Sequence, residues 1–129
     1  MEKLIRQAIE ARRNAYAPYS GFMVGAALEC EDGRIYTGCN IENASYTPTN
    51  CAERTAFFKA VSEGVRKFRR IAIAGGSGEE LTDISPCGVC LQVMSEFCDA
   101  EHFEIIMAKS EKDFICRTLG EMLPVRFRL

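Results

Sequence analysis

Apolar residues recur at three- and four-residue steps through Leu4, Ile5, Ala8 and Ile9, with Arg12 continuing the stripe, and predict a first helix over residues 2–14 that ends before Pro18. The period then changes. Residues 22–30 and 34–40 are apolar, β-prone runs split by Glu31-Asp32-Gly33, and an Asp-Gly pair between two such runs predicts a hairpin. Residues 43–50 are rich in Ser, Thr, Asn and Pro and read as a loop, after which residues 51–61 carry Ala and Phe at helical spacing and predict a second helix. Residues 70–74 form a short buried strand that runs into the flexible Gly75-Gly76-Ser77-Gly78. Ser85-Pro86 predicts the opening of a third helix, with Ser at the N-cap, Pro at the first helical position and a stripe of Val89, Val93, Met94 and Phe97 behind them. Residues 103–108 and 113–117 are the last strands, and residues 109–112 are too few for a crossover, so the two should pair antiparallel. A short helix closes the order. This succession predicts an α/β fold, a three-layer α/β/α arrangement with a mixed five-stranded sheet covered on both faces.

The length of 129 residues fits one domain spanning 1–129 and leaves no room for a second core. With 47% hydrophobic and 26% charged residues the composition is that of a packed globular chain. A net charge of −2 draws the chain neither to nucleic acid nor to an anionic membrane surface. The longest apolar stretch, residues 22–28, falls far short of the ~20 residues needed to cross a bilayer. The N-terminus reads as an amphipathic helix without the apolar block of a signal peptide, so a cytoplasmic location is expected. Seven cysteines then point to thiol or metal chemistry rather than to a disulfide framework.

Three of those cysteines stand at helix starts: Cys51, and Cys87 and Cys90 in Pro86-Cys87-Gly88-Val89-Cys90. Two thiolates three residues apart plus a third from a neighbouring helix match a zinc site that keeps its fourth position for water. Helix N-termini favour thiolate over thiol. A C-x-x-C pair alone is weak evidence, but Cys51-Ala52-Glu53-Arg54 followed by that second motif is a strong pattern. Glu53, two residues after Cys51, is placed to act as general acid/base on a zinc-bound water, and Arg54 could donate to a cysteine sulfur and offset the negative charge of three thiolates. Cys30, Cys39, Cys98 and Cys116 lie in apolar context and read as small core residues, and His102, far from the cysteines in sequence, as a surface residue. Asn40 and Glu42, two apart at a strand end, point to one face and on the residues alone read first as solvated loop polar residues.

At these residues, and at Pro18-Tyr19-Ser20, residues 22–28, 37–46 and 121–124, the sequence resembles the zinc-dependent nucleoside deaminases, specifically the small homotetrameric cytidine deaminases. The resemblance covers essentially the whole chain. It implies a cytidine deaminase-like fold, one Zn²⁺ per chain on Cys51, Cys87 and Cys90, and hydrolytic deamination of cytidine and 2'-deoxycytidine in pyrimidine salvage, the zinc-bound water attacking C4 while Glu53 shuttles the proton. It further implies Asn40 and Glu42 on the ribose, Phe22 against the pyrimidine, the backbone around Ala52 and Ser85 reading the ring and its amino group, and Phe127 reaching a neighbouring subunit's site. The chain departs from the family in Met23, in Thr47-Pro48 and in Val125-Arg126 ahead of Phe127. Two rival readings are a deaminase of another substrate, against which Asn40-Ile41-Glu42 and the net charge argue, and a non-enzymatic zinc or redox module, in which Glu53 beside a ligand cysteine would have no purpose.

Overall fold

A computed structural model of the chain describes residues 1–129. The elements are α1 (Glu2–Ala11), β1 (Met23–Cys30), β2 (Ile35–Cys39), α2 (Ala52–Ser62), β3 (Phe68–Gly76), α3 (Gly88–Phe97), β4 (Glu104–Ala108), β5 (Phe114–Thr118) and α4 (Leu119–Met122). The sheet order is β2-β1-β3-β4-β5. Only β3 and β4 run parallel, joined across α3, and β4–β5 is antiparallel as its short connection requires. The mixed five-stranded sheet of the sequence reading is thus the one observed.

The sheet's alternation supplies two cores. Leu4, Ile5 and Ala8 of α1 pack on Ala27, Ala72, Ile106 and Ala108 of one face. Leu28, Ile71, Ile73 and Ile105 of the other meet Phe57 of α2, Met94 of α3 and Leu119 of α4. Helices therefore cover both faces.

Two helix boundaries differ from expectation. The first helix gives way at Arg12 to a single 3₁₀ turn, Arg12–Asn14, instead of running to residue 14. Arg12 is buried as the stripe requires, but it acts as a clip. Its guanidinium donates to the carbonyls of Met23 (2.8 Å), Gly76 (2.7 Å) and Gly78 (2.5 Å), tying the helix end to the start of β1 and the end of β3. The third helix does not open at Ser85-Pro86. The backbone stays extended through Cys87, which is the N-cap, and the helix begins at Gly88. Pro86 disfavours helical geometry at Ser85, and the extended segment delivers Cys87 to the second helix.

One close approach places that second helix. A Cβ on Gly38 would stand 2.5 Å from the Ala52 carbonyl and 2.6 Å from the Ala56 amide, so only glycine lets the first turns of α2 lie directly on β2. Thr55 adds a pin, its hydroxyl donating to the Cys39 carbonyl at 2.9 Å.

Candidate active site

Cys51 and Cys87 are the N-caps of α2 and α3, both in extended backbone and neither thiol capping a backbone N–H of its own helix, so the two thiols can face each other across the gap. The two sulfurs stand 3.8 Å apart. With Cys90, in the first turn of α3, the three Sγ atoms lie within 4.8 Å of one another. Sulfurs bound at ~2.3 Å on a tetrahedron stand about 3.8 Å apart, so the donor set fits a zinc ion in spacing as well as in chemistry. Cys98 is buried elsewhere and joins no such cluster. Cys30 is a core residue as expected, whereas Cys39 and Cys116 are only half-buried.

Charge follows the same grouping. The Arg54 guanidinium donates to Cys51 Sγ at 3.3 Å. Cys51 is pulled down to about 5, chiefly because the Cys90 thiol bonds to its thiolate, with Arg54 and Cys87 adding to this against the cost of burial. Cys90 is pushed up for the reciprocal reason, since its proton is the one shared with Cys51, and burial acts in the same direction. Burial works against the charge on Arg54, but its bonds to Cys51 and Cys90 outweigh that and hold it protonated. One donor, Nε of Arg54, is buried without a partner. Metal-bound thiolate would satisfy this surplus of donors.

Beside the sulfurs is a cavity of about 300 Å³. Glu53 projects into it from the first turn of α2, only 4% exposed. Desolvation raises its carboxyl to about 7, with the nearby Cys51 acting the same way and its own backbone amide and Arg54 opposing. A group poised near neutrality can take and give a proton at working pH.

The structure brings Phe22, Asn40, Glu42, Ala52 and Ser85 to the same cavity. Asn40 and Glu42 face one side as their spacing predicts, but much of their bonding capacity is already used. The Asn40 amide accepts from the Val24 N–H (2.9 Å) and donates to the Phe22 carbonyl (2.8 Å). The Glu42 carboxylate accepts from the backbone N–H groups of Tyr19 (3.0 Å) and Ser20 (3.1 Å) and from the Ser20 hydroxyl. The Ser20 hydroxyl, followed by the two amides, holds Glu42 below the usual carboxylate range against a small cost of desolvation. Phe127 does not line the cavity of its own chain and is 69% exposed. His102 lies on the surface, paired with Asp99 at 2.8 Å. Sequence reasoning missed Val24, Ile73 and Ile84, which form the cavity's apolar wall, and Thr49 and Asn50 at its rim. Val24 and Ile73 are ordinary strand residues by pattern, paired with Gly75 and Ala26, and nothing in that pattern marks them as cavity wall; Ile73 belongs to the core as well.

Comparison with known proteins agrees with this geometry. Residues 1–107 match the family model described as the cytidine and deoxycytidylate deaminase zinc-binding region. The chain belongs to that family. It is 50% identical over 127 residues, 98% of this chain and 90% of the relative, to a cytidine deaminase of Sporosarcina psychrophila. Among solved structures it is similar to cytidine deaminase from Burkholderia pseudomallei, with a TM-score of 0.88 and 45% identity over 97% of each chain. It is also similar to cytidine deaminase from Mycobacterium tuberculosis, with a TM-score of 0.83 and 37% identity over 98% of this chain and 96% of that one. The cytidine deaminase-like fold and a zinc-binding deaminase identity are therefore those of this chain, with Cys51, Cys87 and Cys90 as the group able to hold the ion. No helix of the structure is long and apolar enough to cross a membrane.

Proposed function

We propose that this chain hydrolyses cytidine and 2'-deoxycytidine to uridine and 2'-deoxyuridine with release of ammonia, as a step of pyrimidine salvage. The observation that carries the reading is a buried, near-neutral carboxyl, Glu53, at the wall of a nucleoside-sized cavity whose neighbouring wall is three convergent thiols. A redox or purely structural cysteine module gives no reason to bury a carboxyl there.

Cys51, Cys87 and Cys90 would hold the zinc. When bound, the ion acidifies a water so that a nucleophile is available at neutral pH. The remaining work belongs to the chain. Glu53 takes the proton that the water gives up and passes it to N3 of the ring as C4 is attacked; it then takes the proton of the new C4 hydroxyl and delivers it to the departing 4-amino nitrogen, leaving the C4 carbonyl. Arg54 tempers the negative charge of three thiolates by its bond to Cys51. Phe22 lies against the pyrimidine, backbone carbonyls near Ala52 and Ser85 receive the ring and its amino group, and Asn40 and Glu42 take the sugar hydroxyls. Residues 1–129 act as one catalytic domain, a reading supported by the single sheet that both cores share.

The working form is a homotetramer in which Phe127 enters a neighbour's site. This is supported by the exposure of its ring together with Val125, itself 88% exposed, neighbouring apolar surface that would leave water against a partner. Seven unpaired cysteines support a reducing, cytoplasmic setting. The test measures zinc per chain and the loss of cytidine absorbance in the near ultraviolet. One zinc per chain with stoichiometric ammonia is the expected result, and a zinc-loaded protein inert toward both nucleosides would overturn the reading.

A further inference from the structure

The loop ahead of β1 is held by a hydroxyl to which the proposed chemistry assigns no task. Ser20 Oγ donates to Glu42 Oε2 and accepts the Phe22 N–H at 3.0 Å. The Phe22 carbonyl is fixed from the other side by the Asn40 amide at 2.8 Å. Between them Gly21 adopts a left-handed φ of +69°, the turn that swings the Phe22 amide back onto the Ser20 hydroxyl. The residue facing the base and the residue facing the sugar therefore meet at a single oxygen atom.

The acceptor count at Glu42 gives this contact its meaning. A carboxylate offers about four lone-pair positions. The amides of Tyr19 and Ser20 occupy Oε1, and the Ser20 hydroxyl occupies one position on Oε2. What remains is one acceptor position of defined direction on Oε2.

We propose that Ser20 is a positioning residue for the nucleoside: its hydroxyl fixes the Glu42 carboxylate and the Phe22 backbone in one frame, leaving a single sugar-directed acceptor at a set distance from the base wall. This rests on the assignment of sugar to Glu42 and base to Phe22 made above. Without the hydroxyl, Oε2 has a second free position, the Phe22 N–H loses its partner, and the bound nucleoside must supply the order itself, which weakens binding while leaving the proton transfers at Glu53 untouched. Ser20 is exposed, so its substitution does not disturb either core.

The experiment compares Ser20→Ala and Ser20→Thr in the full zinc-loaded protein, with KM and kcat for cytidine, zinc content and thermal midpoint as readouts. Ser20→Ala should raise KM about tenfold, the loss of roughly one well-made hydrogen bond. Its kcat should stay within about twofold, with zinc and midpoint unchanged. Ser20→Thr, which keeps the hydroxyl, should return KM to near the wild-type value. In a Glu42→Ala background, Ser20→Ala should add little, because the two act as a unit. An unchanged KM, a fall in kcat alone, a defect that Thr does not restore, or full additivity with Glu42→Ala would each overturn the role of Ser20. A wild-type protein that neither binds nor converts cytidine would overturn the proposed function and Ser20's role with it, whereas active wild type with an indifferent Ser20→Ala overturns Ser20 alone.

Discussion

In the proposed reaction the thiols would hold the metal and Glu53 would move the proton, two tasks that substitution can separate. Cys51 accepts from both Cys90 and Arg54. Cys51→Ala should therefore lose zinc and turnover together, checked by metal analysis alongside the deamination assay; a variant retaining both would exclude Cys51 as a ligand. Glu53→Gln should keep the zinc, since the amide fills the same space, and lose at least about 10² in kcat because it cannot carry a proton. The same residue makes the metal-free protein sensitive to pH. Burial lifts Glu53 from 4.5 to about 7, so between those values the folded chain keeps a proton that the unfolded chain has released, and stability falls as pH rises through the window. Below it the carboxyl is neutral in both states and the effect vanishes; above it the loss levels off at a size on the order of 3 kcal/mol. Chelator-treated wild type and Glu53→Gln compared by denaturant midpoint at pH 4.5 and pH 8 isolate this contribution from that of Cys51, which titrates in the opposite sense. Parallel pH dependence in the two proteins would contradict it. The convergence of Cys51, Cys87 and Cys90, with Glu53 beside them, could be read from spacing because zinc chemistry permits few arrangements. Ser20 could not, since a serine in a Pro-Tyr-Ser-Gly loop is common, and only the fold brings it against Glu42.

The site depends on where two helices begin, and both beginnings are set by residues outside them. Gly38 lets α2 sit on β2, and Pro86 disfavours helical backbone at Ser85, ahead of the extended Cys87 that faces Cys51. A Cβ at Gly38 meets backbone of α2, which cannot rotate away as a side chain could. Gly38→Ala should cost about 1 to 3 kcal/mol of stability and shift the helix carrying Cys51, so zinc affinity should fall with the midpoint. Calorimetry with competitive zinc titration checks this, and a destabilised variant with unaltered zinc affinity would show that α2 adjusts without moving its N-terminus. The elements themselves were legible because their periods are clean, notably the α1 stripe and the Asp-Gly hairpin. The start of α3 was misplaced because Ser-Pro is a favoured helix entry locally, while the requirement that prevailed, presentation of Cys87 to another helix, is a tertiary one that no local pattern carries.

At the scale of the whole molecule, one chain brings together its three thiols and the cavity beside them but leaves Phe127 outside. The last residues hold to the body through few bonds, among them Gln92 to the Phe127 carbonyl at 3.3 Å and Arg126 to the Leu123 carbonyl at 2.9 Å. They fix the backbone of the tail while the Phe127 ring stays in solvent, an arrangement that suits presentation to another copy better than docking onto its own core. In the proposed tetramer the ring would leave water and pack beside the base, worth about 0.5 to 1.5 kcal/mol as an aromatic pair beyond its area. Such assemblies close with D₂ symmetry, so every copy would give and receive the same contact. Sedimentation should then give about four times the 14.4 kDa chain mass. Phe127→Ala should raise KM for cytidine by about three- to tenfold with zinc content unchanged, because the ring acts on the substrate and not on the metal. The decisive comparison is across protein concentration: if dissociation into monomers leaves KM and kcat as they were, and Phe127→Ala matches wild type at every concentration, the site is complete in one chain and the tail serves some other contact.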